Sequence, residues 1–265
     1  MAVTRDSDPT IAITGASGNV GREAIAALDS YALTLFSHSE HEDLDTEPLE
    51  IGDESAVRTA LEGSDVLIHL AANPSPTAPW ESIQEPNIDG VYNVFEAARE
   101  HDLERVVFAS SNHAVNGETL VGPTRVETTE GNPRIVRPGS QPSPDSYYGI
   151  SKVFGEAMGE YYARRHGLEV ISLRIGWLLS PDELEQTCAE RDGPGERYAR
   201  AMWLSPADCR HLLETCVTTS LSSNSVVAHG ISNNSDRFLS LAETIQELNY
   251  YPEDDSRAVL EDELA

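Results

Sequence analysis

Residues Thr10–Thr14 form a short run of apolar and β-branched positions, which a glycine-rich turn follows at once. Residues 19–28 then bring apolar positions back at helical spacing, so the chain opens as strand, turn, helix. The alternation continues, with strands predicted at residues 33–36, 48–51, 65–72, 105–110 and Glu169–Ile175, and helices at residues 57–61, 87–99 and Tyr147–His166. Strands that alternate with helices need crossover connections, which predicts an α/β fold, a doubly wound parallel sheet of Rossmann type with helices on both faces. Two stretches break the pattern: a proline-rich loop at residues 73–79, and a long loop at residues 117–146, rich in Pro, Gly and charge. After Trp177 the alternation weakens to a helix at Pro206–Thr218, a strand at residues 226–231 and a helix at residues 239–248.

Charge changes this picture. The 265 residues carry 45 Asp plus Glu against 18 Lys plus Arg, a formal net charge of -27. Such an imbalance is usual in disordered chains, but here the acids are scattered among periodic apolar segments that run nearly end to end. A folded protein adapted to high salt fits both facts, because at 1 M the Debye length falls to about 3 Å and self-repulsion is screened. The same charge argues against nucleic-acid and anionic-membrane partners, and no apolar run is long enough to span a membrane. Residues 1–9 are polar and acidic, unlike a signal or transit peptide. Three cysteines without metal-ligand spacing exclude a disulfide scaffold, imply no metal and fit a cytoplasmic location, with Cys209 and Cys216 reading as small buried helix side chains. Lys152 is the single lysine; every other basic residue is arginine.

Three features carry chemistry. Gly15, Gly18 and Gly21 lie between the first strand and first helix, with Asn19 and Val20 opening the helix. Glycines there let the backbone approach a pyrophosphate, which rests on the free N–H groups of the helix terminus. Residues 1–176 are therefore expected to form a dinucleotide-binding domain. Residues 177–265 are expected to be mostly a small C-terminal substrate lobe, with some segments returning to that domain. The second strand ends in Ser37, His38 and Ser39 with no carboxylate to repel a 2′-phosphate, and Arg22 stands just past the glycine turn. That favours NADP, with NAD the alternative if Glu40 turns in. Second, Tyr148 and Lys152 stand four residues apart, on one helical face. A phenol titrates at about 10, and a neighbouring ammonium is expected to lower it toward working range. Third, Ser111, Asn112 and His113 follow a buried strand at the sheet's carboxyl edge, where Ser111 can donate to a reacting oxygen and Asn112 and His113 can hold substrate hydroxyls.

Taken together, the glycine turn, Asn87, Ser111, Tyr148 and Lys152 resemble the extended short-chain dehydrogenase/reductase family. Residues 108–113, 148–156 and 174–176 look like its uronate dehydrogenase branch, which includes haloarchaeal sugar dehydrogenases acting on L-arabinose or glucose 6-phosphate. The resemblance implies that Tyr148 takes the C1 hydroxyl proton of a ring-form sugar and that Ser111 orients that hydroxyl. It implies that Lys152 holds the nicotinamide ribose and that Asn87 supports Lys152 through water. It further places Glu50 and Ile51 beside the adenine, Leu70, Ala71, Ala72 and Ile175 along the cofactor, and Ser75 at the substrate. Two departures narrow the substrate. Trp177 stands where the branch has a small serine, and the position of its carboxylate-binding arginine falls on Tyr198, with Arg197 and Arg200 out of register. Both changes favour a neutral sugar, L-arabinose or a similar pentose or galactose-type sugar, oxidised to the lactone with NADP. The rivals are NAD-dependent oxidation of glucose 6-phosphate or a uronate, a nucleotide-sugar epimerase, for which the lobe looks short, and a non-catalytic dinucleotide sensor. A homo-oligomer, dimer or tetramer, is expected through the helices at residues 87–99 and Tyr147–His166.

Overall fold

Strand β1 (Thr10–Thr14) is buried along both faces, as its unbroken apolar run requires. It is the third strand of a seven-stranded sheet, seen in a computed structural model that describes residues 8–122 and 124–262. The polar opening segment lies, up to residue 7, outside the described residues. In chain order there follow α1 (Asn19–Ala27), β2 (Ala32–Ser37), β3 (Glu47–Pro48), α2 (Glu54–Ala60), β4 (Val66–His69), α3 (Trp80–Gln84), α4 (Gly90–Glu100) and β5 (Arg105–Ser111). The second half runs α5 (Tyr147–His166), β6 (Glu169–Ile175), β7 (Trp177–Leu178), α6 (Pro181–Ala189), α7 (Gly193–Met202), β8 (Trp203–Leu204), α8 (Pro206–Thr218), β9 (Ser225–Gly230), α9 (Ala242–Leu248) and α10 (Ser256–Asp262).

The sheet order is β3-β2-β1-β4-β5-β6-β9 with every pairing parallel, the doubly wound Rossmann arrangement. Because strand side chains alternate between faces, each strand feeds two cores. Ile11, Ile13, Val66, Ile68, Ile171 and Leu173 join one core with residues of α1 and α8. Ala12, Leu67, Val106, Phe108 and Val170 join the other with residues of α2, α4 and α5. The order reverses between β1 and β4, and the loops at the carboxyl ends of these strands leave the crevice where such folds bind ligands.

The structure corrects several expected bounds. The strand expected at residues 48–51 pairs only through Glu47 and Pro48, with a last bond from the Leu49 N–H to the Ser37 carbonyl at 2.8 Å; Leu49 and Ile51 are buried in the core. The helix expected at residues 57–61 begins at Glu54 because the Asp53 carboxylate caps the Ser55 and Ala56 N–H groups. The helix expected from residue 87 is regular only from Gly90, preceded by a π turn at Glu85–Asp89, where Pro86 removes a donor and the turn widens. In the long loop, Val136 bridges Leu239. Within residues 177–265, α8 packs on α1, β9 extends the main sheet beside β6 and α9 covers β9. The remainder, α6, α7, α10 and the paired β7 and β8, packs together, and Tyr198, Ala201, Met202 and Leu204 join it to the core on the α1 and α8 side of the sheet. The final helix was expected to begin at residue 239 but begins at Ala242, and α10 was not expected.

Candidate active site

Gly15 has φ +72°, and a Cβ there would lie 2.7 Å from the Ala71 nitrogen. A Cβ on Gly21 would collide with the Gly15 carbonyl, so Gly21 lets α1 pack against the turn and does not face the crevice. Gly18 begins α1 with no side-chain cap and no acid in the first turn, which leaves the terminal N–H groups open to an anion. A pyrophosphate group fits this cradle: close backbone approach, free donors and no opposing carboxylate.

Two adjoining cavities flank the cradle and share Ala72. The smaller, about 320 Å³, is lined by Gly15, Ser37, His38, Glu50, Ile51 and Ala71. Ser37 is buried, and its hydroxyl is engaged with the Ser39 carbonyl and the Thr46 hydroxyl. His38 Nδ1 lies 3.2 Å from the Glu50 carboxylate, both side chains largely exposed. Arg22 lies outside the cavity lining, 2.8 Å from Asp43. Ile51, apolar and buried, and His38 and Glu50 beside it are the residues of this cavity that could hold an adenosine.

The larger cavity, about 510 Å³, gathers Asn19, Val20, Leu70 and Ile175 with Ser111, Asn112, His113, Tyr148, Lys152 and Trp177. Strand β5 delivers Ser111, the 3₁₀ turn after it delivers Asn112 and His113, and the first turns of α5 deliver Tyr148 and Lys152. The α5 terminus is fixed by Ser146, whose hydroxyl accepts from the Gly149 N–H at 3.0 Å. Lys152 Nζ lies 5.4 Å from the Tyr148 ring centroid and 5.2 Å from that of Phe108. Burial pushes the Tyr148 phenol up to about 12, with the Ser111 hydroxyl pulling the other way. Burial likewise pushes the Lys152 amine down to about 7. Here the expectation that Lys152 lowers Tyr148 is corrected: burial raises the phenol, the opposing pull comes from Ser111 and not from Lys152, and the ammonium is itself disfavoured by burial. Beneath them His69, also fully buried, is held near 3 by desolvation and then by the Lys152 charge.

Three expected residues stand outside the cavity wall. Asn87 sits in the π turn and accepts from the Asn73 N–H at 2.8 Å, while its amide donates to the Asn73 carbonyl and the Ser151 hydroxyl. It thereby ties the loop after β4 to α5, one residue from Lys152. Ser75 contacts Thr77 through its hydroxyl at 3.2 Å, while its neighbours Pro74 and Pro76 line the cavity. Tyr198, expected at the substrate, is fully buried behind the wall. Its hydroxyl accepts from Asn112 and Asn116, and its ring meets the edge of Trp177 at 5.0 Å. Trp177 itself faces the cavity.

Sequence reasoning missed Glu127 and Arg191, which close the outer end of this cavity. Arg191 lies over the Trp177 ring at 4.5 Å and pairs with Glu127 at 3.1 Å. Neither Arg197 nor Arg200 is in the wall; Arg200 is bound to Glu196 and Asp236. Among the described residues lining the cavity the cations are therefore Lys152 and an already compensated Arg191. Such a chamber can hold a small polyhydroxylated ring, with a phenol, an amine and a hydroxyl grouped at its inner end.

The family model described as "NAD dependent epimerase/dehydratase family" matches residues 11–192. An L-arabinose 1-dehydrogenase (NAD(P)(+)) of Haloferax volcanii is 49% identical, covering 95% of this chain and 99% of its own length. An NAD-dependent glucose-6-phosphate dehydrogenase of the same organism is 34% identical, covering 94% and 95%. Among solved structures, a mutant uronate dehydrogenase from Agrobacterium tumefaciens complexed with NAD matches at TM-score 0.77 and 26% identity, over 95% of this chain and 87% of that one.

Proposed function

The chain belongs to the NAD dependent epimerase/dehydratase family, and from that footing we propose that it is an NAD(P)-dependent aldose 1-dehydrogenase. It oxidises the C1 hydroxyl of a neutral ring-form sugar, L-arabinose or a similarly shaped pentose or galactose-type sugar, to the lactone. The observation that carries this reading is the wall of the larger cavity. Ser111, Tyr148 and Lys152 line it, Trp177 lines it where the uronate branch has a small serine, and the cation Arg191 is already paired with Glu127.

Bound in the cradle, the oxidised nicotinamide would supply the hydride acceptor and a positive charge that favours a phenolate. Tyr148 takes the proton of the C1 hydroxyl as the C1–H electron pair departs, leaving a carbonyl at C1 within the ring. Ser111 donates to the same oxygen and holds it toward Tyr148. Lys152 supports the phenolate and holds the nicotinamide ribose, and Asn87 fixes the backbone on which Lys152 stands. NADP is preferred and NAD accepted: β2 ends without a carboxylate, and with Ser37 turned inward a 2′-phosphate is met by His38 and by Arg22 drawn from Asp43. The enzyme is cytoplasmic and salt-adapted, and its residues 177–265 contribute α6 and α7 as the substrate-binding lobe. It assembles as a homo-oligomer through α4 and α5, which leave Tyr92, Ile150 and Tyr161 exposed.

The second reading, oxidation of glucose 6-phosphate or a uronate, is favoured by one observation: an anion could take Arg191 from Glu127. A non-catalytic sensor is separated from both by Tyr148→Phe. The expected result is a fall in kcat of about a thousandfold with the cofactor dissociation constant unchanged, measured by initial rates and fluorescence titration. Retained turnover would remove Tyr148 from the chemistry.

A further inference from the structure

His113 lines the larger cavity, and its ring meets the edge of Tyr148 with centroids 5.6 Å apart. Its Nδ1 is turned the other way, 2.9 Å from each oxygen of the Asp145 carboxylate. That carboxylate is fully buried and receives further donors, the Ser146 hydroxyl at 3.0 Å and the Asn116 amide at 3.2 Å. A carboxylate ringed by donors has no proton of its own to give, so Nδ1 of His113 must carry one. In the neutral ring Nε2 is then bare, and the cavity meets the imidazole by that edge.

We propose that Asp145 is a positioning residue that fixes His113 as a hydrogen-bond acceptor toward the substrate, so that the site reads a sugar hydroxyl. This deepens the reading of the site as one for a neutral sugar and rests on it. A hydroxyl has a proton to place on Nε2. The arrangement is held from two elements. The His113 carbonyl accepts from the Asp145 N–H at 3.4 Å, and Asp145 immediately precedes the Ser146 cap of α5. The same carboxylate therefore sets the imidazole and stands three residues before Tyr148. Tyr198 contributes at one remove by accepting from Asn116 at 2.7 Å.

The test is Asp145→Asn in the full chain, in molar KCl. Whichever oxygen becomes the amide nitrogen, it then faces the Ser146 or the Asn116 donor, and the amide offers Nδ1 a donor beside the one remaining acceptor, so the tautomer is no longer enforced. Initial rates are measured with L-arabinose and with its 2-, 3- and 4-deoxy analogues. In the wild type, deleting the hydroxyl that His113 reads lowers kcat/KM by about tenfold or more. In Asp145→Asn, KM for L-arabinose rises by about tenfold while kcat falls less, the NADPH dissociation constant is unchanged, and the same deletion costs less than about twofold. Wild-type KM and full discrimination among the deoxy sugars in Asp145→Asn would overturn the proposal. If the variant does not fold, the ¹⁵N shifts of His113 in the wild-type protein decide. A protonated Nδ1 with bare Nε2 is expected, and a ring carrying its proton on Nε2 overturns it. If the wild type oxidises none of these sugars, the proposed function fails, and the ¹⁵N shifts still decide how Asp145 sets His113.

Discussion

Tyr148 and Lys152 meet where neither keeps its charge easily, the phenol raised to about 12 and the amine lowered to about 7 by burial. A neutral phenol with an amine and a phenolate with an ammonium hold the same number of protons. A proton passed between them would change the charges and not the proton count, and where two groups are so linked the titration belongs to the pair. Their spacing on one helix made both legible in the sequence. Asp145, Glu127 and Arg191 were not, because each acts through a partner 32 or 64 residues away that only the fold brings near. The Tyr198 position was readable from the motif, but its burial behind Trp177 was not. Glu127 bears most directly on substrate charge. Replacing it with Gln leaves Arg191 without its counter-ion, and kcat/KM for glucose 6-phosphate relative to L-arabinose is expected to rise by about tenfold. An unchanged ratio in competition assays would mean that Arg191 does not meet the sugar.

Among the elements, β1, α1, β5, α5 and β6 announced themselves because each is long or apolar enough for its period to show. The segment from Trp80 to Asp89 did not. Pro79 and Pro86 punctuate it, α3 is only five residues long, and the π turn follows no common period. That turn nonetheless carries Asn87, so the irregularity and the candidate site coincide. Strand β9 is tied to the chain beyond it by His229, whose Nδ1 lies 2.9 Å from the Ser240 carbonyl and whose N–H donates to Thr244 at 2.9 Å. Burial holds His229 near 4, against an ordinary value of 6.5. The unfolded chain therefore binds this proton between those values while the folded one does not, and stability is lost as pH falls through that window. The loss is about 1.4 kcal/mol per pH unit for one such group. In His229→Asn, whose amide can still donate to Ser240, the decline of unfolding free energy from pH 6.5 to 4 is expected to be shallower by that amount. Parallel denaturant-midpoint curves for variant and wild type would contradict the assignment.

At the scale of the whole molecule, a net charge of -27 is spread over a chain whose two cores are ordinary in their packing. Salt screens the self-repulsion of such a chain, so activity and stability are to be compared at one high salt concentration. Doubly wound topology was legible because strand and helix alternate; the return of β9 to the sheet was foreseen only as unspecified segments of the C-terminal part. In the proposed reading, substrate charge is set by neither level but by the cavity wall, where Trp177 stands and Arg191 is paired with Glu127. The direct measurement is the initial rate of oxidation in molar KCl with L-arabinose, D-galactose, glucose 6-phosphate and galacturonate, each offered NAD and NADP. The expected result is fastest turnover of the neutral sugars to their lactones with NADP. Preferred turnover of glucose 6-phosphate or galacturonate would contradict it, and would mean that the anion takes Arg191 from Glu127.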